Sequence, residues 1–179
     1  MPIVKYFLLA VLLSVAEKNF SQEDPNLGKT LGNKEITRWS ITIYPSGEGL
    51  PAGSGNAKEG ETLYAVQCRS CHGATGTEGP ATRLSGTAGF YQDSTDPLRA
   101  LSVGAWPNAT TIFDYIRRGM PHFSPKSLNN EEVYQLVAYI LFLNQLIEKT
   151  DALNADKLIT ITMPEKYNTI DVWAQPDHR

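Results

Sequence analysis

Apolar side chains recur at helical spacing in three segments of the chain, and this pattern predicts a mainly α-helical fold. The third segment carries the strongest signal. Asn129 and Glu132 are spaced as a capping box at its start. We therefore predict a helix beginning near residue 130. Its apolar positions are Val133, Leu136, Val137, Ile140 and Leu141.

The first helical segment is predicted over residues 57–71. Gly60 and Tyr64 lie one turn apart there, on one face. A glycine on a helix face permits a second helix to approach closely. Tyr139, in the third helix, is placed to meet this face. We therefore expect the first and third helices to cross at Gly60.

The second helical segment begins after Asn108, which suits an N-cap position. Gly119 is predicted as the residue that follows its end. The apolar face between them consists of Ile112, Phe113 and Ile116. Together the three helices predict one domain over residues 57–149.

The regions on either side of this domain lack helical periodicity. Residues 17–56 are predicted to form an N-terminal arm, with one short strand where Trp39, Ile41 and Ile43 alternate with polar residues. A glycine-rich run follows, but it lacks the Gly-Lys-Ser/Thr ending of a phosphate-binding loop. Residues 150–179 are predicted to form a C-terminal arm.

The N-terminus has the pattern of a secretory signal. Lys5 precedes an apolar run over residues 6–15, and residues 14–16 resemble a small-residue cleavage site. The run is shorter than the roughly 20 residues of a membrane span. We therefore predict a signal peptide over residues 1–16, export to the periplasm and no spanning segment after processing. An uncleaved anchor is the alternative.

The formal net charge is −3, which gives no support to a nucleic-acid partner.

The residues most suited to bind a cofactor lie together in Cys68-Arg69-Ser70-Cys71-His72. This is the spacing of c-type haem attachment, in which both thiols bond haem and the histidine binds iron. A zinc site or a redox dithiol are alternatives, but the chain has no further cysteines to complete a zinc site. We predict one covalent haem c.

The second iron ligand is predicted to be Met120, in the loop before the C-terminal helix, where small class I cytochromes place it. Met163 and His122 are its competitors, and a methionine is also a common core residue. An open iron site is a further alternative.

Several residues are candidates to contact the haem or its ligands. The Pro80 carbonyl is a candidate acceptor for the second nitrogen of His72. Trp106 and Phe113 are candidates to pack on the haem edge, or else belong to the core. The candidate partners of the haem propionates are Arg83, Arg117 and Arg118, of which the last two also suit a helix C-terminus.

Three stretches resemble the cytochrome c subunit of sulfur dehydrogenases, above all the sulfane dehydrogenase of the Sox thiosulfate-oxidising system. They are residues 39–51, 106–121 and 127–134, and the likeness extends from about Trp39 to Pro164. The resemblance implies a class I cytochrome c fold with N- and C-terminal arms. It also implies a molybdenum-cofactor dehydrogenase subunit as partner, with residues 39–55 and the tail after Thr150 lying on that subunit.

The resemblance implies that Cys68 and Cys71 hold haem between His72 and Met120. It further implies an electron-transfer subunit that is not catalytic by itself and that passes electrons to a downstream cytochrome. The substrate of the partner is either sulfane sulfur or sulfite. A free-standing monohaem carrier is the alternative function, and a haem enzyme or sensor with an open iron site is a third.

Overall fold

Six helices and a two-stranded sheet make up the regular structure of the described residues. The structure is a computed structural model that describes residues 28–86, 103 and 106–164. The elements in chain order are α1 (Asn33–Trp39), β1 (Ser54–Gly55), α2 (Ala57–Gln67), α3 (Arg69–His72), α4 (Ala109–Gly119), α5 (Asn130–Leu143), β2 (Leu153–Asn154) and α6 (Ala155–Thr160).

The chain divides into two compact units, Met1–Ser40 and Ile41–Arg179. In the first unit, α1 carries Ile36 and Trp39 three residues apart, and both side chains are exposed. The second unit contains all the other elements. No helix among the described residues has the length and apolar character needed to cross a membrane. The predicted signal peptide, residues 1–16, lies outside the described residues.

Helix α5 is the centre of the second unit. Its capping box is confirmed, because the Asn129 side chain accepts a bond from the Glu132 N–H (2.9 Å) and the Glu132 carboxylate accepts one from the Asn129 N–H (2.8 Å). The predicted apolar positions of this helix are all buried in the hydrophobic core. The helix is therefore covered on several sides, as its nearly continuous apolar sequence requires.

Helices α2 and α5 cross at Gly60, as predicted. A Cβ atom at Gly60 would lie 2.7 Å from the Gln135 carbonyl carbon and 2.9 Å from the Tyr139 Cβ. One turn further along α2, the Tyr64 ring packs on the Tyr139 ring, with 4.9 Å between ring centroids. Glycine at position 60 thus allows the two helix backbones to touch.

Helix α4 contributes the predicted face of Ile112, Phe113 and Ile116 to the core. The prediction for its end is wrong by one residue. Gly119 is the last helical residue, and Met120 caps the helix by donating its N–H to the Ile116 carbonyl (3.0 Å). Gly119 does not adopt a positive φ, so the glycine is not used as a left-handed cap.

The strand predicted from Trp39, Ile41 and Ile43 does not form. Trp39 is the last residue of α1, and residues 40–43 have no ladder partner among the described residues. The Ile43 N–H instead donates to the Asp114 carboxylate on α4 (2.8 Å), while the Ile43 side chain is buried in the core. A side chain from a distant helix therefore takes the donor that a neighbouring strand would have used.

Both segments that flank the predicted domain over residues 57–149 also have residues that pack into the second unit. On the N-terminal side, the Pro51 carbonyl accepts a bond from the Tyr134 hydroxyl (2.9 Å). On the C-terminal side, β2 pairs antiparallel with β1, placing Ser54 opposite Asn154. The C-terminal segment buries Leu153, Leu158 and Met163.

We predict that Gly60→Ala destabilises the protein by about 1–3 kcal/mol, because the new methyl group must push apart two helix backbones. Gly119→Ala is the matched control. It also replaces a helical glycine, but nothing lies within 4 Å of the added Cβ, so it should gain up to about 1 kcal/mol. Urea unfolding of both variants measures the difference. Equal stability of the two variants would contradict the crossing.

Candidate haem-binding site

The pentapeptide forms one tight turn at the end of α2. Cys68 caps α2 by donating its N–H to the Tyr64 carbonyl (2.9 Å), and α3 follows at once. The N–H groups of Cys71 and His72 both donate to the Cys68 carbonyl, at 3.1 and 3.0 Å. Three successive bonds thus hold the two cysteines and the histidine on one helical turn.

Both cysteines are free thiols and both are half-buried. Burial, and to a lesser degree the neighbouring Cys71, raises the pKa of the Cys68 thiol to about 11.

The imidazole of His72 is held by a backbone carbonyl. Its Nδ1 lies 2.8 Å from the Thr82 carbonyl oxygen. A carbonyl only accepts, so Nδ1 carries the hydrogen, and in a neutral imidazole Nε2 is the nitrogen with the free electron pair. A bond of this kind fixes both the tautomer and the orientation of a metal-binding histidine.

The prediction that Pro80 supplies this carbonyl is wrong, because Thr82 takes that place. The reason is a bond made by the residue before Thr82, because the Ala81 N–H donates to the Cys71 carbonyl (2.9 Å). This bond brings the following carbonyl, that of Thr82, to the imidazole. Pro80 itself is exposed.

Glu78 organises the loop between His72 and Thr82. Its carboxylate accepts bonds from the Thr75 hydroxyl (2.6 Å), the Thr75 N–H (3.0 Å) and the Thr77 N–H (3.3 Å). The hydroxyl and N–H bonds from Thr75 hold the pKa of Glu78 at about 2, well below the ordinary range of a glutamate. Sequence reasoning missed Glu78, although the Thr-x-x-Glu spacing of residues 75–78 is a usable signal.

The residues that follow this loop are tied to the loop itself and to α5. The Ser85 hydroxyl donates to the Thr75 carbonyl (2.6 Å), and the Leu84 N–H donates to the Gly76 carbonyl (2.7 Å). The Asn144 amide, at the C-cap of α5, donates to the Leu84 carbonyl (2.8 Å). The loop over the pentapeptide is thus closed on itself and attached to the central helix.

The candidates for the second iron ligand differ in their surroundings. Met120 is half-buried at the end of α4 and packs against the core, while Met163 is buried within the core. His122 is exposed and lies edge-on to the Phe123 ring, with 5.0 Å between centroids. These surroundings favour Met120, whose place opposite His72 stays a prediction.

The aromatic candidates contact other protein side chains. Trp106 is half-buried and meets the Tyr115 ring edge-on at 5.5 Å. Phe113 is fully buried and packs on Tyr134 at 4.6 Å. Phe113 is therefore a core residue, while a place for Trp106 at the haem edge stays a prediction.

The three arginines that are candidate partners of the haem propionates also differ in their contacts. Arg118 donates two bonds to Asp114, at 2.9 and 2.7 Å, which raise the pKa of the guanidinium. This pairing agrees with the alternative that Arg118 serves its own helix. Within the part of the chain that the structure describes, Arg83 and Arg117 form no ion pair. Contact with the haem propionates therefore stays a prediction for Arg83 and Arg117.

The donor set fits haem c. Two free thiols lie on one turn, and the adjacent imidazole uses Nδ1 for a backbone bond, which leaves Nε2 as the nitrogen that can bind a metal. Thiols spaced in this way add to the two vinyl groups of haem, and imidazole nitrogen is a common ligand of haem iron. The described residues contain no group of three or more His, Cys, Asp or Glu side chains that could hold a metal ion without haem.

Comparison with known proteins agrees with this geometry. Residues 55–140 match the family described as cytochrome c oxidase, cbb3-type, subunit III. The crystal structure of the sulfane dehydrogenase SoxCD from Paracoccus pantotrophus contains a similar chain, with 30% identity and a TM-score of 0.71. The likeness covers 86% of this chain and 76% of that one. No curated protein matches the chain.

We predict that Glu78 stabilises the fold in a pH-dependent way. The lowered pKa means that its contribution is complete above the unfolded value of about 4.3 and is lost as the pH falls towards about 2. Glu78→Gln should therefore be less stable than the wild type at pH 7, and the difference should shrink between pH 4.3 and 2.

Urea unfolding across this pH range measures the effect. Glu48→Gln is the control, because the Glu48 carboxylate has no hydrogen-bond partner within the described residues. If the free energy of unfolding of Glu78→Gln ran parallel to that of the wild type down to pH 2, the Glu78 carboxylate would not hold the loop.

Proposed function

Because this chain belongs to the family of c-type cytochromes that includes the cytochrome of the sulfane dehydrogenase SoxCD, and has the class I cytochrome c fold, we propose that it is an electron-transfer subunit. It accepts electrons from a molybdenum-cofactor subunit that oxidises sulfane sulfur or sulfite, and passes them to a downstream cytochrome. The chain is not catalytic by itself. Its signal directs it to the periplasm.

The cytochrome c domain implies haem c. Haem c, when bound, supplies one-electron exchange at its iron. In this proposal Cys68 and Cys71 hold one haem covalently, and His72 binds the iron through Nε2. The observation that carries this assignment is the bond from His72 Nδ1 to the Thr82 carbonyl, which leaves Nε2 available.

The proposed partner rests on how far the likeness to SoxCD extends. The cytochrome family match covers only residues 55–140, whereas the likeness to the SoxCD chain covers 86% of this one. The likeness therefore includes residues on at least one side of the cytochrome family match. A shared extension is what we expect if the two chains bind similar partners.

A free-standing carrier is the second candidate, and one observation favours it. Residues 41–56 and 151–164 pack into the same unit as the cytochrome helices, so they are not unpartnered arms. Among the described residues, the first unit then remains as the proposed docking element, and its exposed side chains Ile36 and Trp39 are the candidate anchors. Residues 165–179 of the predicted C-terminal arm lie outside the described residues. Large aromatic side chains are frequent anchors of protein interfaces.

We predict that Met120 binds the ferric iron opposite His72. Methionine ligation gives a weak near-infrared charge-transfer band, which Met120→Leu should remove. Met120→His should remove the band and lower the reduction potential, because a thioether ligand raises the potential relative to imidazole. Met163→Leu is the control, and it should keep the band. Loss of the band in the control alone would assign the ligand to Met163 instead.

We predict that deletion of residues 22–40 separates the chain from its molybdenum partner while its haem spectrum and thermal stability survive. The deletion ends before Ile43, which belongs to the core. The readouts are molybdenum per haem in tagged protein purified from its own cells, and haem reduction on addition of sulfite or thiosulfate. Both should fall together.

Point variants make this test sharper. Trp39→Ser should act in the same direction as the deletion, whereas Val66→Ser should not, although Val66 is also an exposed apolar residue, on α2. If the undeleted chain carries no molybdenum and responds to neither sulfur compound, the free-standing carrier is the better account.

A further inference from the structure

Tyr64 makes a hydrogen bond that packing alone does not require. Its hydroxyl donates to the Gly73 carbonyl at 2.9 Å, and Gly73 is the residue that follows His72. The side chain is almost completely buried, with a relative exposure of 1%. A buried hydroxyl therefore donates to the backbone carbonyl of the residue that directly follows the proposed iron ligand.

The rest of the core holds Tyr64 in this position. The crossing of α2 and α5 places Tyr139 against its ring, at 4.9 Å between centroids. Burial, more than the nearby Cys68, raises the pKa of the Tyr64 hydroxyl. The group therefore remains a hydrogen-bond donor at neutral pH.

The Gly73 carbonyl lies at the start of the loop that holds the imidazole. Gly73 has a φ of +82°, and a Cβ there would lie 2.8 Å from the Glu78 N–H nitrogen, so the chain reverses tightly at this glycine. The loop returns through Glu78 and ends at Thr82, whose carbonyl accepts the His72 Nδ1 bond. Tyr64 thus restrains the first residue of a loop whose last residue orients His72.

We propose that Tyr64 is a positioning residue for His72: its hydroxyl anchors Gly73 and thereby sets the geometry of the bond between His72 Nδ1 and the Thr82 carbonyl. The inference rests on the proposed function, because it takes His72 as the iron ligand. Tyr64 acts through the backbone and touches no iron ligand with its hydroxyl.

This role has a chemical consequence at the iron ligand. A hydrogen bond from Nδ1 to a carbonyl makes the imidazole a better electron donor through Nε2. A stronger donor favours the ferric state and keeps the reduction potential low. Loosening the Gly73 anchor should weaken the Nδ1 bond and move the potential in the positive direction.

The test compares Tyr64→Phe with Tyr134→Phe in the haem-loaded full chain. The two tyrosines are closely matched, since the Tyr134 hydroxyl is also buried and also donates to a backbone carbonyl at 2.9 Å, that of Pro51. Phenylalanine keeps the ring in both cases. Both variants should lose a similar amount of stability. A change in the free energy of unfolding therefore does not by itself distinguish a residue that positions His72 from one that only packs in the core.

Two readouts separate them. Exchange of the His72 Nδ1 hydrogen with solvent, followed by nitrogen-15 NMR of the reduced protein, should become faster in Tyr64→Phe by up to about tenfold, the factor expected when one hydrogen bond is weakened. The reduction potential of Tyr64→Phe should become more positive. Tyr134→Phe should change neither quantity.

The outcomes also distinguish this inference from the proposed function. If Tyr64→Phe and Tyr134→Phe have the same exchange rate and the same potential, Tyr64 is a packing residue and the inference is wrong. If the wild type holds no haem on its cysteines, the proposed function fails first. Unchanged exchange with a shifted potential would also overturn the inference, since the effect would not pass through the Nδ1 bond.

Discussion

The contact of α2 with α5 at Gly60 is the constraint on which the rest of the structure depends. Because position 60 has no side chain, the helix backbones touch there, and Tyr64 is brought one turn further on against Tyr139. The pentapeptide begins at the next turn of α2, so its position relative to the core follows from this crossing. The orientation of His72 is then set by the loop that returns from Gly73 to Thr82.

The sequence predicted the elements whose signals are local. The capping box of Asn129 and Glu132 and the apolar positions of α5 were confirmed. These predictions succeed because helix caps and helical faces depend on residues three or four positions apart.

Features that depend on a hydrogen bond between distant parts of the chain could not be predicted from local sequence patterns. The Trp39–Ile43 alternation suits a strand, but the Ile43 N–H meets Asp114, 71 residues further along. Likewise, the sequence predicted the Pro80 carbonyl as the acceptor of the His72 Nδ1 bond, but the Thr82 carbonyl takes that place. This depends on the bond from the Ala81 N–H to the Cys71 carbonyl, ten residues back along the chain.

Everything proposed for this chain depends on haem attached at Cys68 and Cys71, and the most direct measurement is the mass of the intact polypeptide after denaturation and extraction with acidified organic solvent. The account predicts a chain heavier by the mass of one haem, and a Cys68→Ser/Cys71→Ser double variant that lacks this mass. A denatured wild-type chain without haem, with all of the haem in the solvent, would contradict it.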